Sequence, residues 1–198
     1  MSPNLTRRDA MNQLGNGLSA AGHHGDALTV KEAELSMLRR LGASEDDMLV
    51  VQANLSNSYY ELGRKEEALR LRQEVYSGRL KVSGEENEKT LIAALNYAVS
   101  LSDLKRFEET RALLRKMIPV ARRVLGESHE IMLWMRWTYA RALYNADGAT
   151  LDDIREAVTG LEDLEQTARR VLGGAHPLTE SMEGGLRDAR VVLRTREG

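Results

Sequence analysis

Apolar residues return along this chain at steps of three and four. Val51, Leu55, Tyr59 and Leu62 share one face at that spacing, and Ala68, Leu71, Val75 and Leu80 do the same beyond Gly63. A period near 3.6 residues marks an amphipathic helix buried along one side. The pattern predicts nine helices, near residues 4–21, 26–41, 45–62, 65–82, 87–104, 107–125, 129–145, 151–172 and 177–195. Start signals agree with these limits. Ser44 with Asp47, and Thr150 with Asp153, are hydroxyl–acid pairs three residues apart, the spacing of a capping box. Ser2-Pro3 and His176-Pro177 put proline near a helix start, where its missing N–H costs nothing. The breaks between helices carry glycine, which suits the left-handed conformation that ends a helix.

The pattern also repeats. Leu41-Gly42, Leu125-Gly126 and Leu172-Gly173 each follow a pair of arginines, and Gly84 holds a weaker version of the same place. Gly42, Gly84 and Gly126 stand 42 residues apart, and Gly173 follows 47 later. Asn54, Leu62, Arg64 and Glu67 are matched 42 positions on by Asn96, Leu104, Arg106 and Glu109. Thr138, Tyr139, Ala140 and Leu143 continue the step, and the extra residues of the last interval fall at 145–152, read as a surface loop. A degenerate first copy has Ala21-Gly22 and Ala27-Leu28 where the second has Leu62-Gly63 and Ala68-Leu69. Helix pairs at a fixed step define an all-α solenoid of about four antiparallel pairs. The repeats run near 3–42, 43–84, 85–126 and 127–173, and a helix at 176–195 without a partner serves as a cap. Gly185 falls where Asn54 and Asn96 fall, and Gly184-Gly185 weakens the cap unless close packing needs the missing side chains. The degenerate first copy and the clean final helix lean towards one complete small domain over 1–198.

These residues resemble a known family. Asn54-Leu55, Tyr59-Tyr60, Leu62-Gly63-Arg64 and Glu66-Glu67-Ala68, with the recurrent Leu-Gly and His176-Pro177, are similar to tetratricopeptide repeats of the kinesin light chain type. That variant has the 42-residue step in place of the usual one of about 34. The resemblance covers nearly the whole chain. It departs from the family in the His-Pro pair before each first helix, which stands only at His176-Pro177, with half of it at His129-Glu130. No sustained heptad is present, so the coiled coil by which kinesin light chains join the heavy chain has no counterpart and a motor role is unsupported. The resemblance implies a right-handed superhelix whose concave groove, lined by first helices, recognises protein or peptide.

In that register the groove is fed by Asn54, Asn57 and Tyr60 in the second copy, by Asn96 in the third, and by Trp134, Trp137, Arg141 and Tyr144 in the fourth. Met135, Tyr139, Ala142 and Leu143 already supply the core face of the fourth first helix. Trp134, Trp137, Arg141 and Tyr144 follow steps of three, four and three, so they share another face. Trp, Tyr and Arg are the residue types of binding hot spots, and Arg141 suits an acidic group or a chain-terminal carboxylate. Asn54 and Asn96 sit where related repeats use asparagine to bond a ligand's backbone. The competing reading is packing. Large inner-face side chains often cement the next repeat or the cap, with Trp137 under the final helix and Asn54 and Asn96 bonding neighbouring backbone.

Composition narrows the function further. Only one phenylalanine, Phe107, and few β-branched residues argue against a large sheet. A formal net charge of -2 gives no bulk basic field for nucleic acid or anionic lipid. The basic C-terminus at Arg187, Arg190, Arg194 and Arg196 lacks the interleaved aromatics of a nucleic-acid surface. There is no cysteine, hence no disulfide, thiolate metal site or cysteine nucleophile, and a cytoplasmic setting fits. No apolar run reaches transmembrane length. His23, His24, His129 and His176 show no zinc spacing, and no phosphate loop follows a strand. No catalytic residue, metal or cofactor is expected. The sequence therefore points to a non-enzymatic scaffold or adaptor that binds a protein or peptide segment in its groove. The alternative is a structural subunit that buries a convex face or an edge.

Overall fold

A computed structural model describes residues 3–198, with side chains from Asp9 onward; the Ser2 half of the first start signal lies outside the described residues. Those residues form nine helices: α1 (Pro3–Ala20), α2 (His24–Arg40), α3 (Glu45–Glu61), α4 (Lys65–Ser83), α5 (Glu88–Asp103), α6 (Phe107–Leu125), α7 (Glu130–Asn145), α8 (Leu151–Leu172) and α9 (Pro177–Glu197). The hydrophobic period placed every one of them. The ends are set by the signals read from sequence. Ser44 Oγ accepts from the Asp47 N–H, and Thr150 with Asp153 makes a complete capping box at the start of α8. The turn inside the α3/α4 pair uses Gly63 at φ 73°, with the Arg64 N–H reaching back to the Tyr59 carbonyl. The α5/α6 turn has the same bonds, but Lys105 stands in the glycine's place at φ 59°. A side chain in that region costs about 1 kcal/mol relative to glycine.

The helices gather into two compact units, one up to Gly84 and the other from Glu85. In the first unit α1 packs on α2, α2 on α3 and α3 on α4. The approach of α4 to α3 is close: a Cβ on Gly78 would lie 2.5 Å from Leu49 Cδ2. Its apolar cluster joins Leu28, Leu35 and Leu38 of α2 to Val51 and Leu55 of α3, with Leu71 of α4 laid against it. In the second unit α5 packs on α6, α6 on α7, α7 on α8 and α8 on α9, with α7 also touching α5 and α9. Ile154, Leu161 and Leu164 of α8 meet Leu133 and Leu143 of α7 and Leu178 and Met182 of α9 in one buried cluster. Each helix thus buries its apolar face against sequence neighbours, as helix-pair repeats do. Among the described residues no helix is long and apolar enough to cross a membrane.

Candidate functional site

Each unit presents part of the expected binding face. In the first unit α3 carries Asn54, Asn57 and Tyr60. Two of these are engaged by their own repeat. Arg72 of α4, only 6% exposed, donates to Asn57 Oδ1 at 3.1 Å and lays its guanidinium 4.4 Å from the Tyr60 ring centre. The Asn54 side chain makes no hydrogen bond among the described residues, while its backbone carbonyl accepts from Lys31 Nζ at 3.4 Å. Asn54 and Asn57 line a polar hollow of about 410 Å³ with Asn16, His24 and Glu61.

Lys31 forms the floor of that hollow. It is 3% exposed, and its ammonium also donates to Ser19 Oγ of α1 at 2.8 Å and Ser58 Oγ of α3 at 3.1 Å. Three donors meet three oxygens, so the charge is solvated by the protein. Burial still pushes the Lys31 pKa down, against the opposing pull of Glu34. Neither Lys31 nor Arg72 was singled out from sequence. The signal was present, because both occupy the repeat position that Leu114 and Leu161 hold later in the chain.

In the second unit α7 carries the aromatic group. Trp134 and Trp137 are half-buried and meet edge to face, with ring centres 5.5 Å apart and planes at 89°. The Arg141 guanidinium sits 5.2 Å from the Trp137 ring centre and donates to Asp103 Oδ1 of α5 at 2.5 Å. The indole N–H of Trp137 donates to the Ser181 carbonyl of α9 at 3.3 Å. Gly185 is explained by the same contact: a Cβ there would lie 3.3 Å from Trp137 Nε1 and 3.7 Å from Tyr144 Oη. Tyr144, 8% exposed, lies in the core beneath this face, and burial raises the pKa of its phenol. Asn96 is half-buried on α5. Trp134, Trp137 and Arg141 thus form one half-open patch of aromatic faces and a clamped cation. Such a patch can take an apolar or planar group, and the remaining N–H groups of Arg141 can meet an oxygen acceptor.

The histidines before α7 and α9 are helix caps. His129 Nδ1 accepts from the Ile131 N–H at 3.3 Å and His176 Nδ1 from the Leu178 N–H at 3.2 Å. Asn87 Oδ1 does the same for Lys89 at 2.9 Å, in the equivalent place before α5.

Comparison with known proteins agrees with this architecture. The tetratricopeptide repeat family matches at residues 49–88 and 90–130. No curated protein matches the chain. Among solved structures, a kinesin light chain protein of Podosopora anserina with nearly identical TPR-like repeats is similar at 21% identity and a TM-score of 0.78, over 100% of this chain and 91% of that one. A single-substitution form of it aligns with a TM-score of 0.79 at 21% identity, with the same coverage. BtubC (BKLC) from P. vanneervenii is similar at 15% identity and a TM-score of 0.58, over 96% of this chain and 81% of that one. At these identities the likeness speaks for the fold. With the 42-residue step and the matched repeats, the chain has the fold of tetratricopeptide repeats of the kinesin light chain type.

Proposed function

We propose that this chain is a non-enzymatic scaffold that binds a peptide or protein segment on the face formed by its first helices. The observation that supports this most is the patch on α7. Trp134 and Trp137 keep part of their rings open, and Arg141 is held in place by Asp103 and Trp137. Preorganised aromatic and guanidinium groups are the usual anchors of a recognition surface. Asn54, with its carboxamide unbonded, offers a peptide-backbone contact on the first unit, and Asn57, Tyr60 and Asn96 border the same helix faces. Tyr144 acts from beneath, as support for Trp137.

A second reading is favoured by the bond from Trp137 to Ser181 and the missing side chain of Gly185. Those contacts suit a patch whose work is to seat α9, leaving the chain as a structural subunit of an assembly. Selection of an unbiased displayed-peptide library separates the two. The parent is compared with Trp134→Ala and Arg141→Ala, which spare the α9 contact. Peptides enriched by the parent and lost by at least about tenfold in either variant, with an unchanged melt, uphold the scaffold reading. No enrichment, or equal binding by both variants, favours the structural subunit.

A further inference from the structure

The hollow on the first unit is polarised by the two cations beneath it. A guanidinium has only donors, so the bond from Arg72 fixes the Asn57 carboxamide with Oδ1 toward the core. The Asn57 Nδ2 hydrogens are left to the hollow. Lys31 acts in the same way on two serines. Ser58 Oγ accepts from the ammonium and turns its own hydrogen toward the Asn54 carbonyl at 3.5 Å. Ser19 Oγ accepts from the ammonium at 2.8 Å, and its O–H has no acceptor among the described residues. Two donors, Asn57 Nδ2 and the Ser19 hydroxyl, therefore line the hollow without partners.

Two acceptors border the same hollow. Asn16 gives Nδ2 to Asn12 Oδ1 at 2.7 Å, which leaves Oδ1 as its free acceptor. The Glu61 carboxylate makes no hydrogen bond or ion pair among the described residues. Asn54 and His24 offer groups of both kinds and do not set the polarity.

This lining suits neither an anion nor a cation. A carboxylate has acceptors only, and would leave Asn16 Oδ1 and the Glu61 carboxylate unmet. Lys31 calls for no counter-ion, because protein oxygens take its three hydrogens and Glu34 lies near enough to raise its pKa. An ammonium or guanidinium has donors only, and would oppose Asn57 Nδ2, the Ser19 hydroxyl and the Lys31 charge. A primary carboxamide carries one oxygen with two lone pairs and one nitrogen with two hydrogens. It matches two donors and two acceptors in number. A main-chain amide has a single N–H and leaves one acceptor unmet.

We propose that the hollow is a docking site for the side-chain carboxamide of a partner's glutamine or asparagine, its oxygen toward Asn57 and Ser19 and its NH2 toward Asn16 and Glu61. Arg72 and Lys31 are positioning residues, since they set the polarity from beneath. A volume of about 410 Å³ leaves room for the stem of such a side chain as well. The inference rests on the reading of the first helices as a recognition face, and adds what the first unit's share of that face selects.

The test is titration of the whole isotope-labelled chain with blocked single amino acids. N-acetyl-glutamine N-methylamide is compared with its asparagine, glutamate and alanine counterparts, and the side-chain amide signals of Asn54 and Asn57 are followed by NMR. Glutamine or asparagine should shift both signals saturably, with a Kd on the order of millimolar for a ligand of this size. Alanine, which offers main-chain amides alone, and glutamate should bind at least about tenfold more weakly. Asn57→Asp keeps an acceptor for Arg72 and removes the donor, so it should weaken the glutamine response by about tenfold without lowering the melt. Glu61→Ala should weaken it severalfold, and Arg141→Ala should leave it unchanged. Equal binding of alanine, tighter binding of glutamate, an unchanged response in Asn57→Asp, or no saturable shift with glutamine or asparagine each overturns the proposal. These probes need no displayed peptide. Enriched peptides without a glutamine response sink the carboxamide site and leave the scaffold reading standing, and a glutamine response without enrichment does the reverse.

Discussion

The two units solve the same packing problem with different chemistry at matching places. The central inward position of the second helices is Lys31 in α2 and Arg72 in α4, but Leu114 in α6 and Leu161 in α8. One helical turn on, the series runs Glu34, Val75, Met117 and Leu164, and a further turn gives Leu38, Arg79, Ala121 and Ala168. All of these are buried. In the first unit the cations are solvated by protein oxygens: Lys31 by Ser19, Ser58 and the Asn54 carbonyl, Arg79 by the side chain and carbonyl of Asp46. In the second unit the same positions hold apolar side chains. A helix-pair repeat therefore constrains which residue points inward, and whether that residue is charged depends on the acceptors its neighbours provide. The cations also reach the proposed binding face, since Arg72 holds Asn57 and Tyr60. The first unit's face is pinned from within by its core, whereas the second unit's face is pinned by Asp103 and α9.

The sharpest way to break this comparison is to move a cation across it. Leu161→Lys puts an ammonium among Ile154, Leu164 and Met182, apolar members of one buried cluster. An uncompensated buried charge costs about 3 kcal/mol or more, so the second unit should unfold at much lower urea. Both tryptophans lie in that unit, and their fluorescence reports it selectively. A loss below about 1 kcal/mol would mean that the second core is as accommodating as the first.

The reverse exchange should matter far less. Lys31→Met removes the desolvated charge and leaves hydroxyls that can bond elsewhere, so stability should change by about 1 kcal/mol or less. The pH dependence carries the sign. Burial holds the pKa of Lys31 below that of a free lysine, so the unfolded chain keeps the proton over the interval between the two values. Parent stability should rise as pH climbs through that interval. Urea unfolding followed by circular dichroism should show the rise in the parent and its loss in Lys31→Met.

The last effect, of similar size, concerns a cap. Thr150→Ala removes half of the α8 capping box and should cost about 1 kcal/mol. Hydrogen bonds from Thr150, aided by Arg111, hold the Asp153 pKa below the usual carboxylate value. The stability this contributes is present above that value and is lost as pH falls through the depressed one. Thr150→Ala should therefore narrow the gap between neutral and acid melting temperatures. An unchanged gap would assign the low Asp153 pKa to Arg111 instead.

The helices were legible because the signals that make them are local. Gly63, Ser44, Thr150 and His176 act on backbone groups within a few residues, and the apolar period needs one element at a time. The candidate site was legible only as a set of helix faces. Trp134, Trp137 and Arg141 do adjoin, but Tyr144 shares their spacing and lies in the core, because α9 passes over it with Gly185 turned inward. Lys31 and Arg72 read as exceptions to an apolar face, and only the surrounding oxygens explain them.

Sequence by itself determined the repeat, its 42-residue step, the helix limits and the inward positions, since each follows from hydrophobic period and short-range capping. Tertiary structure alone decided which of the candidate site residues stay open and where buried cations find acceptors. Those outcomes rest on groups far apart in the chain, such as Arg141 with Asp103 across 38 residues and Trp137 with Ser181 across 44. No local pattern encodes the distance between them until the helices have packed.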